Sequence, residues 1–349
     1  MNRDFLSEKA RRLVPYVAGL QPKDADWIKL NTNENPYPPS PEAAKALKNV
    51  SIAEFRLYPD DSSDALCKAI ARTFDVGREN VFCGNGSDEV LALAYQAFFS
   101  GKENVLTPDV SYGFYPVWSQ MYDVGVKITP LRDDFTIGTD DYKCGDGVVI
   151  ANPNAPTGIA LDIAEIEKIA RNNPDGVVVV DEAYMDFANV ESAVSLSAKY
   201  ENLLVVRTFS KSHSLAGLRV GFAIGSRALI DGLELVKNAF NSYPLDSLAQ
   251  IAATAAISDR NYWDVTRKRI ITTRDETAER LRELRYRTLG SEANFLFMEA
   301  ENAKELYDHL FKSKILVRYW NKPRISRFLR VTVGTDSEME AFIECVKRF

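Results

Sequence analysis

The sequence predicts an α/β protein: a mainly parallel sheet covered by helices on both faces, with a second, smaller α+β domain after it. Three observations carry this reading. Between Val105 and Ile224, short apolar runs alternate with amphipathic ones. The runs, of which Val177–Val180 (VVVV) is the clearest, are too apolar for a sheet with one face in water. After about Tyr243 the texture changes to a long helical stretch with sparser strands, in a chain of 349 residues, too long for one ordinary core.

In chain order, Asn31–Pro41 (NTNENPYPPSP) holds four prolines and three asparagines and reads as an extended, irregular segment. Helical patterns follow at Pro41–Leu47 and Ser63–Phe74, and the stretch between them carries Arg56, Tyr58 and Pro59. Ser87–Phe99 (SDEVLALAYQAFF) has a serine at its start and acids in its first turn, as a capped helix does. Val105–Thr107, Val126–Ile128, Val148–Ala151, Val177–Val180, Leu203–Arg207 and Val220–Ile224 read as strands, with a helix at Ile163–Arg171. Beyond them, roughly Ser247–Leu284 reads as a long helical stretch, Asn294–Met298 and Phe328–Val333 as strands, and Ala303–Lys312 and the C-terminus as helices. The expected division is an N-terminal arm with part of the small domain (1–40), a large domain (41–245) and a small C-terminal domain (246–349).

Composition excludes several function classes. Hydrophobic residues make up 46% and charged residues 26%, a globular balance that argues against disorder. The net charge of -6, from 43 basic and 49 acidic residues, argues against a nucleic-acid partner. The two histidines, His213 and His309, and four scattered cysteines, Cys67, Cys83, Cys144 and Cys345, leave little material for a metal site or a disulfide framework. A reducing cytoplasm fits that cysteine usage. Met1–Ala10 is charged and lacks an apolar signal region, and no apolar run approaches a membrane span.

Three of the strand candidates end in residues that a core does not select. VVIA runs into Asn152-Pro153-Asn154-Ala155-Pro156-Thr157-Gly158, VVVV into Asp181-Glu182-Ala183-Tyr184, and LLVVRTF into Ser210-Lys211-Ser212-His213. In an open parallel sheet these ends share one edge, where ligands bind. Taken singly, Asp181 reads as a turn residue, Lys211 as a solvated loop lysine, and His213 as a local hydrogen-bonding group. Together they suit an aldehyde cofactor. A lysine amine becomes a covalent catalyst on an aldehyde, and pyridoxal phosphate (PLP) is the commonest such aldehyde. Its ring nitrogen needs a carboxylate. Its phosphate needs N–H donors at a helix start, which Gly84-Asn85-Gly86-Ser87-Asp88 offers, and a cation, which Arg219 offers.

At these residues the sequence resembles the fold-type I PLP-dependent aminotransferases of class II, and within them the histidinol-phosphate branch. The resemblance covers nearly the whole chain. It is carried by LVPY (Leu13–Tyr16), LNTNENP (Leu30–Pro36), RLYP (Arg56–Pro59), GNGSDE (Gly84–Glu89), SYGFY (Ser111–Tyr115), PNAPTG (Pro153–Gly158), DEAYMDF (Asp181–Phe187), TFSKSHSLAGLRVGF (Thr208–Phe222) and LRVTVGT (Leu329–Thr335). It implies a large domain around a mainly parallel seven-stranded sheet, and a homodimer with shared active sites. It implies that Lys211 holds PLP, that Asp181 pairs with the ring nitrogen and Tyr184 with the ring hydroxyl oxygen, and that Tyr112 stacks on the ring. Ser87 and Asp88 are expected to give backbone donors, and Ser210 and Arg219 side chains, to the phosphate. Tyr58 is expected to reach the partner subunit's phosphate, and Tyr16, Arg318 and Arg330 to face substrate. One position departs from the pattern: where many relatives have asparagine before Pro-Thr-Gly, this chain has Ala155. Either Asn154 takes over that contact to the ring hydroxyl or the contact is lost.

Charge adds a substrate reading. Arg318, Lys322, Arg324, Arg327 and Arg330 form an acid-free basic stretch in an acidic chain. Some of these belong to a solvated face; the rest suit an anion site, because arginine grips carboxylates and phosphates through a two-pronged fork. With the resemblance, this points to glutamate and histidinol phosphate as the alternating substrates. An aromatic aminotransferase and a decarboxylase of a phosphorylated amino acid remain open. A non-catalytic module of the same fold is disfavoured by the intact Lys211, Asp181, Tyr184 and Arg219, and a dehydrogenase by the incomplete glycine fingerprint.

Overall fold

The apolar runs expected between Val105 and Ile224 all become strands of one sheet in the computed structural model, which describes residues 5–24, 26–143 and 145–349. The chain begins with α1 (Glu8–Arg12), β1 (Ile28–Lys29), α2 (Pro41–Lys48) and α3 (Asp64–Phe74). Then come β2 (Val81–Gly84), α4 (Gly86–Ala94), β3 (Val105–Pro108), α5 (Tyr115–Met121), β4 (Val126–Thr129), β5 (Gly147–Ala151), α6 (Ile163–Asn172), β6 (Val177–Asp181), β7 (Leu203–Thr208), β8 (Gly221–Gly225) and α7 (Arg227–Phe240). The last stretch holds α8 (Ser247–Ser258), α9 (Arg260–Glu283), β9 (Arg287–Thr288), β10 (Phe295–Glu299), α10 (Ala303–Lys312), β11 (Ile315–Leu316), β12 (Arg318–Tyr319), β13 (Phe328–Thr332) and α11 (Asp336–Lys347).

The large sheet has seven strands in the order β2-β8-β7-β6-β5-β3-β4, and β8 alone runs antiparallel to its neighbours. Its strands alternate between two cores, as a period of two requires. Val148 and Ile150 of β5 join Ile70 of α3, Ile166 of α6 and Ala253 of α8 on one face. Val149 of β5 joins Leu91 of α4, Trp118 of α5 and Leu233 of α7 on the other. Burying one such side chain contributes about 1.5–3 kcal/mol, which explains why runs such as VVVV carry no polar position.

A four-stranded sheet, β12-β13-β10-β9, packs under α9, α10 and α11 through Leu281, Leu306, Phe342 and Ile343. The N-terminal segment joins this body: β1 pairs in parallel with β11, and Leu30 lies in the same core. The helical stretch expected from Ser247 to Leu284 is divided into two helices. Asp259 leaves the helical conformation (φ -86°, ψ 69°) and its side chain accepts the Tyr262 N–H, starting α9 afresh. An aspartate carboxylate that captures a backbone N–H in this way competes with helix continuation. Ala249, Ala253 and Ile257 of α8 belong to the large sheet's core, so the texture change near 245 precedes a helix that still packs with the large body.

Cys67, Cys83 and Cys345 are free and buried, while Cys144 and residues 1–4 lie outside the described residues. No helix among the described residues is long and apolar enough to cross a membrane.

Candidate active site

Parallel pairing aligns Ala151 with Asp181 and Asp181 with Val206, so the polar segments after β5, β6 and β7 leave the sheet at one edge. The end of β2 joins them, because Gly84 pairs with Gly221 and Gly221 with Thr208. Two glycines allow this junction. A Cβ at Gly221 would collide with the backbone of Gly86 and Ser87 at the start of α4, and Gly86 has φ +81° with Arg219 packed against its Cα.

The four segments and β13 enclose a cavity of about 290 Å3. Asp181, 5% exposed, lies on its wall. Its carboxylate accepts hydrogen bonds from the Tyr115 hydroxyl (2.9 Å) and the Ala183 N–H (3.2 Å). Among the described residues no cation lies within ion-pair distance of it, and burial pushes its carboxyl up to about 6. Lys211 also lines the cavity, its Nζ donating to the Thr32 carbonyl (3.1 Å) and standing 5.8 Å from the centre of the Tyr184 ring. Burial, then the neighbouring Arg330, pulls its amine down to about 8.

Ser87, at the first turn of α4, and Ser210 line the flank beside Arg219. Arg219 adopts a left-handed backbone (φ +53°), unusual for a residue with a side chain. Its guanidinium donates to Ser210 Oγ (3.2 Å) and pairs with Asp88 (3.3 Å), and the same Asp88 carboxylate accepts from the Tyr112 hydroxyl (2.8 Å). One carboxylate thus fixes both the aromatic wall and the cation.

Arg330 and Arg318 line the outer part of the cavity with Tyr16, whose ring stacks on Phe114 at 4.3 Å. Arg330 Nη2 donates to the Asn31 carbonyl (2.8 Å), its Nε has no partner, and its guanidinium lies over Phe295 (5.4 Å) and Trp320 (5.2 Å). No carboxylate of the described residues pairs with it. Two other members of the basic stretch do pair: Arg324 with Asp109 (2.6 Å) and Arg327 with Glu299 (3.5 Å). Lys322 borders an adjoining vestibule of about 800 Å3 that shares Tyr16, Tyr112, Arg318 and Arg330 with the cavity.

Two expected site residues lie elsewhere in this chain. Asn154 does not line the cavity. Its Oδ1 accepts from Ser111 (2.8 Å) and its Nδ2 donates to the Val110 carbonyl and Thr157 Oγ1 (both 3.0 Å), so its amide is taken up by the loop after β3 and by its own turn, and Ala155 lines the wall instead. Tyr58 is 81% exposed and stacks on Tyr243 at 4.7 Å, outside the cavity. His213 is half-buried against Trp263 and Ser212, and desolvation pulls its imidazole down to about 4, so it is neutral at pH 7. The structure adds Tyr115 at Asp181, the Asp88 carboxylate, and Asn33, which donates to the Tyr184 hydroxyl. SYGFY contained Tyr115, and a buried tyrosine needs a partner for its hydroxyl; nothing local pointed to Asp181, 66 residues away.

These groups fit PLP. A buried carboxylate without a cation suits the ring nitrogen, a lysine poised near neutrality suits the aldehyde, and a helix start with a serine and an arginine suits the phosphate. Fold and site together define a fold-type I PLP-dependent enzyme. The chain belongs to the class I and II aminotransferases, whose family profile matches residues 25–346. It is 49% identical to a histidinol-phosphate aminotransferase of Brachyspira hyodysenteriae over 99% of this chain and 98% of the other. Among solved structures it is similar to a putative histidinol-phosphate aminotransferase from Erwinia carotovora atroseptica, with TM-score 0.86, 25% identity and coverage of 93% of this chain and 96% of that one. It also shares its fold with the Sinorhizobium meliloti histidinol-phosphate aminotransferase solved with PLP, with TM-score 0.81, 22% identity and coverage of 92% and 91%.

Proposed function

We propose that this aminotransferase moves the amino group between glutamate and histidinol phosphate, through 2-oxoglutarate and imidazole acetol phosphate, as a step of histidine biosynthesis in the cytoplasm. The observation that carries the substrate assignment is Arg330, a half-buried cation on the cavity wall whose buried Nε has no hydrogen-bond partner and which has no carboxylate partner among the described residues. With Arg318 beside it, it suits the side-chain carboxylate of glutamate in one half-reaction and the phosphate ester of histidinol phosphate in the other. The vestibule, whose lining includes Tyr16 and Trp320, suits an imidazole ring. The 49% identity to an enzyme of that name supports the same reading.

When bound, PLP supplies an aldehyde for amine exchange and a cationic ring that takes up the electron pair left at the substrate carbon. The chain's own groups do the rest. Lys211 Nζ would hold the cofactor and, freed when the substrate amine takes its place, would carry a proton from the substrate carbon to the cofactor's aldehyde carbon, as base and then as acid. An amine near 8 suits both directions close to neutral pH. Asp181, fixed by Tyr115, would keep the ring nitrogen protonated. Tyr112 would cover the ring, the α4 N–H groups with Ser210 and Arg219 would hold the phosphate, and Tyr184 would donate to the ring oxygen. Arg318, Arg330 and Tyr16 orient substrate.

The active form is a homodimer in this reading. Ile52 (81% exposed), Leu57 (58%) and Tyr58 (81%) form an apolar strip beside Tyr243 that a second copy would cover. Comparing kcat/KM for histidinol phosphate, phenylalanine and a phosphorylated amino acid on one preparation tests the function. Preference for phenylalanine, or release of carbon dioxide, would overturn the substrate assignment.

A further inference from the structure

The Tyr184 hydroxyl accepts a hydrogen bond from Asn33 Nδ2 at 2.9 Å, across 151 residues of sequence. Asn33 is 1% exposed and follows β1 in the segment that docks on β13. Its amide is oriented from the far side. The Thr332 hydroxyl donates to Asn33 Oδ1 (3.0 Å), and Thr332 Oγ1 accepts the Asn33 backbone N–H (2.9 Å). With Oδ1 engaged as acceptor, Nδ2 is the end that meets Tyr184. The backbone is held too: Asn33 has φ +55°, a conformation asparagine tolerates, and its carbonyl accepts from Asn294 Nδ2 (3.1 Å).

A phenol that accepts a hydrogen bond keeps its own proton to give. The rest of the Tyr184 environment takes none of it. The ring packs with Ala155, Ala293 and Phe295, and among the described residues Asn33 is the hydroxyl's only hydrogen-bond partner. The loop after β5 sends no polar side chain to help, since Asn152 is bound to the Leu161 backbone, Asn154 is bound to Val110, Ser111 and Thr157, and Ala155 presents a methyl. Strand order decides which part of the cofactor meets this flank. The phosphate cradle follows β2 and β7, Asp181 ends β6, and Ala155 follows β5, so the Ala155 side lies opposite the cradle. In PLP the phenolic oxygen and the phosphate arm lie on opposite sides of the line from aldehyde carbon to ring nitrogen. With its phosphate in the cradle, a bound PLP would therefore turn its phenolic oxygen toward Tyr184.

We propose that Asn33 is a positioning residue: by donating to the Tyr184 oxygen it commits the Tyr184 proton to the cofactor's phenolic oxygen, a contact that Ala155 cannot share. The inference rests on PLP occupying the cavity. Burial keeps the phenol above its ordinary range, so the proton is present at working pH.

The test reads the cofactor rather than turnover. A donor on the phenolic oxygen draws off its charge and weakens the hold of the neighbouring lysine-bound nitrogen on its proton. The readout is the pH midpoint of the holoenzyme's visible absorption band, without substrate. Tyr184→Phe should raise that midpoint by about 1 pH unit. Asn33→Asp, which replaces the donor with an acceptor that captures the Tyr184 proton, should raise it comparably on its own and add nothing on the Tyr184→Phe background. A shift of the same size with and without Tyr184 would mean only a through-space charge and would overturn the proposal, as would no shift at all. Should Asn33→Asp fail to fold, Asn33→Gly suits the left-handed backbone, and its smaller rise should also vanish without Tyr184; a rise that persists there overturns the proposal. A wild-type protein that shows no visible band fails the cofactor reading itself, whereas a band indifferent to Asn33 overturns this proposal alone.

Discussion

Lys211 and Arg330 are each shaped by burial, and the two effects can be measured apart. An ordinary lysine amine holds its proton to about 10.5, whereas Lys211 sits near 8 because it is desolvated and faces Arg330. The rate at which the apoprotein captures PLP, followed by absorbance, should therefore rise with pH through about 8; a midpoint near 10 would mean that the amine is solvated. For Arg330, the competing role of a structural arginine paired with a carboxylate finds no such partner among the described residues. Arg330→Ala should reduce kcat/KM for both substrates by about 2–5 kcal/mol if the ion pair with substrate is desolvated. Arg330→Lys should recover only part of it, since an ammonium cannot fork onto two oxygens. Unchanged half-reactions with a lowered melting temperature would return Arg330 to a structural role.

At the scale of elements, the cofactor cradle depends on how closely β8 approaches the start of α4. Gly221 leaves no room for a methyl group against the Gly86–Ser87 backbone. Gly221→Ala should push α4 away from the edge of the sheet at a cost of about 1–3 kcal/mol, as overpacking does. Because the displaced N–H groups are those offered to phosphate, the loss should appear as weaker PLP binding, of the order of tenfold or more, in a titration of the apoprotein. Unchanged PLP affinity in a destabilised protein would detach the cradle from the strand contact. The helices and strands themselves were legible wherever periodicity ran on undisturbed: Ala303–Lys312 ends where its pattern ends, and the VVVV run extends by one residue to include Asp181. The division of Ser247–Leu284 was not legible, because one aspartate within a helical pattern reads as a surface residue until its carboxylate is seen to hold the Tyr262 N–H.

On the scale of the whole molecule, Asp181 links cofactor binding to stability. Its folded carboxyl lies at about 6, above the ordinary 3.8. The folded state therefore holds this proton more tightly. Below 3.8 the group costs nothing, and as pH rises through about 6 the buried, unpaired anion costs the apoprotein about 3 kcal/mol. Apoprotein stability should fall between roughly pH 4 and 6 relative to Asp181→Asn, and the gain in melting temperature on adding PLP should grow over the same window; identical pH profiles for the two apoproteins would refute the penalty. The homodimer has its own test. Mixing a Tyr58→Phe chain with a Lys211→Ala chain gives one intact site per mixed dimer if Tyr58 acts across subunits, and none if it acts within its own. Activity no higher than that of the parent variants would sink the shared site.

The sequence by itself determined the layered α/β plan and the edge where chemistry gathers. Both follow from local rules: apolar runs of strand length must be buried on both faces, and parallel strands bring their polar ends together. Its resemblance to a known family also singled out Lys211, Asp181, Arg219 and Arg330, all of which line the cavity. The tertiary structure alone decided which neighbours tune them. Asn154 and Ala155 are adjacent in a polar turn, and only the path of the backbone sends the alanine to the cavity and consumes the asparagine. Asn33 meets Tyr184, and Tyr115 meets Asp181, across 151 and 66 residues. Such pairs leave no periodic trace, because a hydrogen bond depends on where two distant elements come to rest and not on what precedes either residue in the chain.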